Sequence, residues 1–292
     1  MQSETPITRR YRVPDLGTGE GAFWHAAEQA LYFVDIQAPA LFRLDPETGE
    51  LKSWKMPSAI GSFGLCHDGR AIVALRTGLY FFDFATEALT FIVNPEDGLD
   101  SNRLNDGKVG PDGRFWVGSM DDRPDKKPIA GLYRIDHNGG CTRMVGDLTV
   151  SNGLAWSPDS HTLYHSDSRQ AFLQAFDYDL ATGDLSNQRR IRGFTNEEGR
   201  PDGAAMDVEG CYWSAGVSAG CVNRISPEGA IVQRFELPVP SPTMPCFGGP
   251  DLQTLFVTSL STSRLGPHTP GTLISFRVDV AGTPGALFGP AP

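Results

Sequence analysis

The chain has 292 residues with 25 Lys plus Arg against 35 Asp plus Glu, a formal net charge of −10, and no polybasic run, which argues against nucleic acid or an anionic membrane surface as a partner. Its 33 Gly, 22 Pro and 40% hydrophobic content leave too few helix formers for a helical solenoid and favour an all-β fold, within reach of a single domain over residues 1–292. Met1 to Arg10 is polar and no segment is apolar for long enough to cross a bilayer, so the expectation is a soluble cytoplasmic protein without a membrane partner.

Two patterns alternate along the chain, six times each. The first is a turn followed by a β-rich run, at Leu31–Asp35, Ala71–Leu75, Phe115–Gly118, Thr162–Ser166, Cys211–Ala215 and Thr254–Thr258. The second opens on an aliphatic residue and alternates, at Leu41–Asp45, Leu79–Asp83, Leu132–Asp136, Leu173–Asp177, Val222–Ser226 and Leu273–Arg277. Copies lie about 40 to 50 residues apart, the period of four-stranded propeller blades. Hairpin residues such as Asp45-Pro46-Glu47-Thr48-Gly49 follow the second run. Armadillo-type repeats share this period but need amphipathic windows of about ten residues or more, which Gly, Pro and β-branched residues interrupt here. The pattern predicts a six-bladed β-propeller with four-stranded blades, closed by the N-terminal Ile7–Val13 run pairing with the last blade.

Glu20, Asn105, Asn152 and Asp202 each stand seven residues before a recurring turn position, at Ala27, Asp112, Asp159 and Glu209. The same offset from Asp68 and Asp251 gives Gly61 and Met244, so four repeats carry an oxygen-bearing residue and two do not. In a propeller the first strand of each blade lines the channel, and the four side chains should converge at one mouth. Two carboxylates with two amides make a ligand set for a hard cation such as Ca²⁺, Mg²⁺ or Mn²⁺, and the absence of His and Cys argues weakly against zinc. Taken singly, Asn152-Gly153 and Asp202-Gly203 also read as ordinary turn dipeptides. Arg103, two residues before Asn105, is either a solvated loop cation or a donor to substrate oxygens.

Other motifs fail on context. Gly216-Val217-Ser218-Ala219-Gly220 matches a nucleophile elbow but leads into the strand-like run Val222–Ile225 where a helix is needed. Gly17-x-Gly19-x-x-Ala22, with Asp35 downstream, mimics a dinucleotide fingerprint without room for a crossover helix. His25, His67, His137, His161, His165 and His268 show no metal spacing and read as surface or packing residues, with His25 placed near the Glu20 mouth. The odd number of widely spaced cysteines, 5, indicates no disulfide framework and no cysteine zinc site.

Together, Gly19-Glu20-Gly21, Phe33-Val34-Asp35-Ile36, Asn102-Arg103-Leu104-Asn105-Asp106-Gly107-Lys108, Ser151-Asn152-Gly153-Leu154, Phe176-Asp177-Tyr178-Asp179, Pro201-Asp202-Gly203 and Cys246-Phe247-Gly248-Gly249 make the chain resemble the SMP-30/gluconolactonase/regucalcin-like family nearly end to end. The resemblance implies a six-bladed propeller with one catalytic divalent metal ion (Ca, Mn, Mg, Zn or Fe) held by Glu20, Asn152 and Asp202, with Arg103 and Asn105 binding substrate. The chain departs from the family at the loop after the third blade's second strand, where members can supply an acidic contact and this chain reads Met120-Asp121-Asp122-Arg123-Pro124-Asp125-Lys126-Lys127-Pro128, which leaves the substrate open. The implied activity is hydrolysis of an aldonolactone to its sugar acid by a monomer or weak homo-oligomer, with Asp202 as general base. The alternatives are a non-catalytic Ca²⁺-binding scaffold or regulatory propeller, and a related propeller esterase or phosphotriesterase with a more apolar mouth.

Overall fold

A computed structural model describes residues 2–262 and 269–290, which leaves His268 outside the described residues. They form a six-bladed propeller of antiparallel four-stranded sheets, with no helix among them and hence none long and apolar enough to cross a membrane. Blade I comprises Gly19–His25, Ala30–Asp35, Ala40–Leu44 and Leu51–Lys55, ordered from channel to rim. The inner strands of blades II to VI are Ile60–Leu65, Asn102–Val109, Ser151–Trp156, Pro201–Met206 and Pro242–Gly248. Second strands such as Ala30–Asp35 and Ala71–Leu75 are buried on both faces and read as nearly continuous apolar runs. Rim strands such as Leu185–Gly193 expose most of their residues and carry Arg189, Arg190 and Arg192, which blunts a free sheet edge.

Ring closure uses Arg9–Tyr11, paired antiparallel with Leu273–Arg277 as the rim strand of blade VI. The closing strand is shorter than the expected Ile7–Val13 run, because Ile7 is 97% exposed and lies before the pairing starts. Gln2–Glu4 adds an unforeseen fifth strand to blade V, parallel to Ile231–Glu236. Between blades the core is aromatic: Trp24 stacks on Phe256 across blades I and VI, and Trp116, Trp156 and Tyr178 meet edge to face across blades III and IV.

Two local devices set the register of the inner strands. The turn that ends each strand contains a left-handed residue, Gly69, Gly113, Ser160, Gly210 or Leu252 in blades II to VI and Gln29 in blade I. Every inner strand also breaks its pairing with the second strand at a bulge, between Glu20 and Phe23, Ile60 and Ser62, Leu104 and Gly107, Asn152 and Ala155, Pro201 and Ala204, and Pro242 and Pro245. A bulge re-aims the side chains beside it. Here it acts at or next to the four oxygen-bearing positions.

The far end of the channel is crossed by the C-terminal segment. Thr283 N–H donates to Met206 O at 2.9 Å in blade V, Phe288 N–H to Leu65 O at 2.7 Å in blade II, and Gly289 N–H to Gly113 O at 3.0 Å in blade III.

Candidate active site

Glu20, Arg103, Asn105, Asn152 and Asp202 line one cavity of about 290 Å³ at the mouth of the channel, together with Lys126, Ser168, Arg169, Arg200 and Thr243. The two repeats without a ligand are occupied by packing. A Cβ at Gly61 would stand 2.6 Å from the carbonyl oxygens of Leu104 and Asn105, so glycine lets the blade III strand approach. The buried Met244 fills the space beside Gly203.

The side chains are tied to one another across blades. Arg103 Nη1 donates to Asn105 Oδ1 at 2.8 Å and to Leu104 O at 3.0 Å. Asn105 Nδ2 is shared between Ser151 O at 3.0 Å and Asn152 Oδ1 at 3.2 Å. Asn152 Nδ2 donates to Ser168 Oγ at 2.7 Å, and Ser168 Oγ donates to Pro201 O at 2.6 Å, one residue before Asp202.

A repeated carboxylate clamp holds the loops that deliver these groups. Asp35, at the end of a second strand, accepts from the backbone N–H of Gly17, Thr18, Gln37 and Ala38. Asp167 does the same for Thr149, Val150, Arg169 and Gln170. Gly17-Thr18 and Thr149-Val150 lead into Glu20 and Asn152, so each clamp fixes the approach to a site residue. The signal in the sequence was an acid closing the second strand, as in Phe33-Val34-Asp35 and Ser166-Asp167. Ser151 is held in turn by the buried His165, whose Nε2 lies 2.8 Å from Ser151 Oγ and whose Nδ1 lies 3.0 Å from Gln174 Nε2. Because Gln174 Oε1 accepts from Gln188 Nε2, its amide N–H faces Nδ1, and the His165 proton resides on Nε2.

The mouth is short of positive charge at its centre. Burial, then Asp202 and Asp106, push the Glu20 carboxyl well above its ordinary range; burial, then Asp106, do the same to Asp202, opposed by Arg200 and Arg103. Asp106, one position deeper, is raised by burial against the pull of Lys108, and its Oδ1 is buried without a hydrogen-bond partner among the described residues. Glu20 accepts, among the described residues, only the Gly21 N–H, at 3.2 Å. Among the described residues no three His, Cys, Asp or Glu side chains form a cage. The donor set is instead two carboxylates with amide oxygens, and under-bonded buried carboxylates of this kind suit a hard divalent cation.

Other sequence motifs resolve into structure. Ser218 accepts from Arg200 N–H and donates to Asn196 O, both at 2.8 Å, in a turn between strands, which makes it a brace and no nucleophile. Asp35, spent on the glycine loop, is no ribose ligand. His25 lies at the opposite end of the channel from Glu20, because the seven-residue strand Gly19–His25 spans the channel from mouth to mouth. His67, His137 and His161 are exposed, and all five cysteines are free. The loop at residues 120–128, where the chain departs from the family, contributes Met120, Pro124 and Lys126 to the cavity lining and none of its acids. Asp121 is buried and accepts Arg123 Nη2 at 2.8 Å and Lys127 N–H at 2.8 Å, while Asp122 pairs with Arg76 and with Arg103 Nε at 3.5 Å. The loop presents Lys126 instead.

The profile of the SMP-30/gluconolactonase/LRE-like region matches residues 18–261. The chain belongs to this family. It is 40% identical over 276 residues to the 6-deoxy-6-sulfogluconolactonase of Pseudomonas putida, covering 92% of this chain and 94% of that one. It is 34% identical over 264 residues to regucalcin of Xenopus laevis, with 89% and 87% covered. Among solved structures, the calcium-binding protein regucalcin from Agrobacterium tumefaciens superposes with a TM-score of 0.90 at 26% identity, over 99% of both chains.

Proposed function

We propose that the protein hydrolyses a sugar lactone to the aldonic acid, using one divalent metal ion held by Glu20, Asn152 and Asp202. The observation that carries this reading is the convergence of these residues with Arg103 and Asn105 in one cavity, in a chain related to a sulfogluconolactonase. When bound, the ion polarises the ester carbonyl and lowers the pKa of water. Asp202 takes the proton from the attacking water as general base. Arg103, fixed by Asn105 and Asp122, donates to lactone oxygens and stabilises charge that develops on the ring oxygen or carbonyl. Asn105 shares in orienting the lactone and keeps Asn152 in place. Ser168 and the Asp35 and Asp167 clamps act through these residues as positioning groups.

The test is proton release from glucono-, xylono-, arabinono- and galactonolactone by chelator-treated protein, with and without added Ca²⁺, Mn²⁺, Mg²⁺, Zn²⁺ or Fe²⁺. Acceleration over spontaneous opening that depends on metal is expected; none with any lactone would overturn the reading.

A second reading, a Ca²⁺-binding propeller without catalysis, draws support from the regucalcin relatives. It predicts thermal stabilisation by Ca²⁺, by mass action, without turnover. The phosphotriesterase alternative calls for a more apolar mouth, and in this one Glu20, Arg103, Lys126, Arg169, Arg200 and Asp202 stand among apolar residues such as Ile36, Met120 and Leu260.

A further inference from the structure

The cavity is cationic in an acidic protein. Its lining carries Arg103, Lys126, Arg169 and Arg200 against Glu20 and Asp202, while the whole chain has a net charge of −10. The cations form an arc: Arg103 and Lys126 come from blade III, Arg169 from the loop after strand Thr162–Asp167 of blade IV, and Arg200 from the residue before strand Pro201–Met206 of blade V. Glu20 stands on blade I. Away from the two carboxylates at the centre, the arc on blades III to V presents one sign of charge, which favours an oppositely charged ligand, and an uncharged lactone would leave that arc unused.

The loop from which family members can supply an acid presents a cation here. Asp121 is turned into the protein by Arg123 and the Lys127 N–H, and Asp122 is engaged by Arg76 and Arg103. Lys126 Nζ donates to Asp121 O at 2.8 Å, which fixes the ammonium beside the cavity and leaves two of its three protons for a ligand. Burial disfavours the charged form of Lys126; Asp122 and Asp121 support that form while Arg103 and Arg169 oppose it, and a bound anion would add to the support. Arg169 is exposed and, among the described residues, its side chain makes no ion pair or hydrogen bond.

We propose that Lys126 and Arg169, with Arg200, form a subsite for an anionic substituent, a sulfonate or a phosphate, on the exocyclic carbon of the lactone. The proposal rests on the lactonase reading and specifies its substrate class. Guanidinium and ammonium donors bind tetrahedral oxyanions through charge-assisted hydrogen bonds, and discrimination is the ratio of kcat/KM for charged and uncharged lactones.

The experiment compares gluconolactone, 6-deoxy-6-sulfogluconolactone and 6-phosphogluconolactone with the metal-loaded wild-type protein and a Lys126→Gln/Arg169→Gln variant, whose melting temperature is checked first. The wild type is expected to favour at least one charged lactone by about tenfold or more, and the variant to lose about tenfold of that ratio. Whichever of the sulfonate and phosphate substrates loses more identifies the anion. Preference for gluconolactone, or a ratio unchanged by the double substitution, would overturn the proposal. If no lactone is turned over, the lactonase reading fails by itself. The subsite is then decided by calorimetry with the ring-opened acids: tighter binding of 6-deoxy-6-sulfogluconate or 6-phosphogluconate than of gluconate, lost in the variant, supports it, and equal binding refutes it.

Discussion

At one end of the channel the inner strands present Glu20, Asn105, Asn152 and Asp202; at the other the same strands present Trp24, Lys108, Trp156 and Met206. The first end opens into a charged cavity whose carboxylates are short of donors. The second is an apolar cavity of about 430 Å³ crossed by Thr283, Pro284, Gly285, Ala286 and Leu287. A Cβ on Gly285 would come within 2.4 Å of the Phe23 ring, and one on Gly282 within 2.1 Å of Phe247, so the strap lies close against the inner strands. Within a strand of six to eight residues the bulge divides the labour. The carboxylates at the bulge, Glu20 and Asp202, are held short of donors, and the side chains after it are packed for stability. Between the two ends Lys108 Nζ donates to Ala204 O at 2.6 Å and offsets the charge of Asp106.

The sharpest way to break this comparison is to substitute one residue at each end. Asp202→Asn should lower turnover by about 10²-fold or more, as loss of a positioned general base does, with the melting temperature in the presence of chelator unchanged or raised, because a buried carboxylate is removed. Steady-state kinetics and calorimetry on the same preparation check both halves. At the strap, Phe288 is buried against Phe81 and His137. Phe288→Ala should cost roughly 3–5 kcal/mol of stability, read by urea unfolding, and leave lactone KM where it was. A KM that rises with Phe288→Ala would show that the two mouths communicate, and the division drawn above would not hold.

The sequence made the blades legible because each second strand is a self-contained apolar run bounded by turns, and periodicity needs no tertiary information. The convergence of four oxygen-bearing residues was legible for the same reason, since equal offsets in a closed ring imply equal heights in the channel. What escaped were features that depend on contact between distant segments. Nothing local in Thr283–Phe288 signals that it crosses the channel. The clamps by Asp35 and Asp167 were visible as acids but not as acceptors of four backbone donors each, because the donors come from two loops. Residues 120–128 show the limit most clearly: the loop departs from the family pattern and its role could not be read, because only the fold shows that Arg123, Arg76 and Arg103 engage Asp121 and Asp122 while Lys126 reaches the cavity.

A smaller effect tests whether the mouth holds its cation by charge as well as shape. Glu20→Gln keeps the side-chain volume and removes one of two carboxylates from the ligand set. Metal affinity should fall by about tenfold or more, since ligand charge count tunes such sites, and excess metal should restore part of the activity. Metal titration followed by thermal shift gives the affinity without relying on turnover. Unchanged titration and unchanged turnover would make Glu20 a turn residue.

The smallest effect concerns His165, which joins the stable body of blade IV to Ser151 beside the mouth. Burial pushes its imidazole down to about 3, against an ordinary value near 6.5. Above that ordinary value the folded and unfolded chains both hold it neutral, and it contributes no pH dependence. Below it the unfolded chain takes up a proton that the folded chain refuses, so stability falls by about 1.4 kcal/mol per pH unit until the folded value is reached. Glu20, Asp106, Asp167 and Asp202, all raised by burial, act in the opposite direction as pH drops, so the total slope does not isolate the histidine. The difference between the wild type and His165→Gln does. Urea unfolding of both in chelator at pH 7, 6 and 5 should show the wild type losing stability relative to the variant at about that rate. Parallel curves would mean that the imidazole charges inside the fold, and that Ser151, and through it the Asn105 amide, is held by something other than a neutral His165.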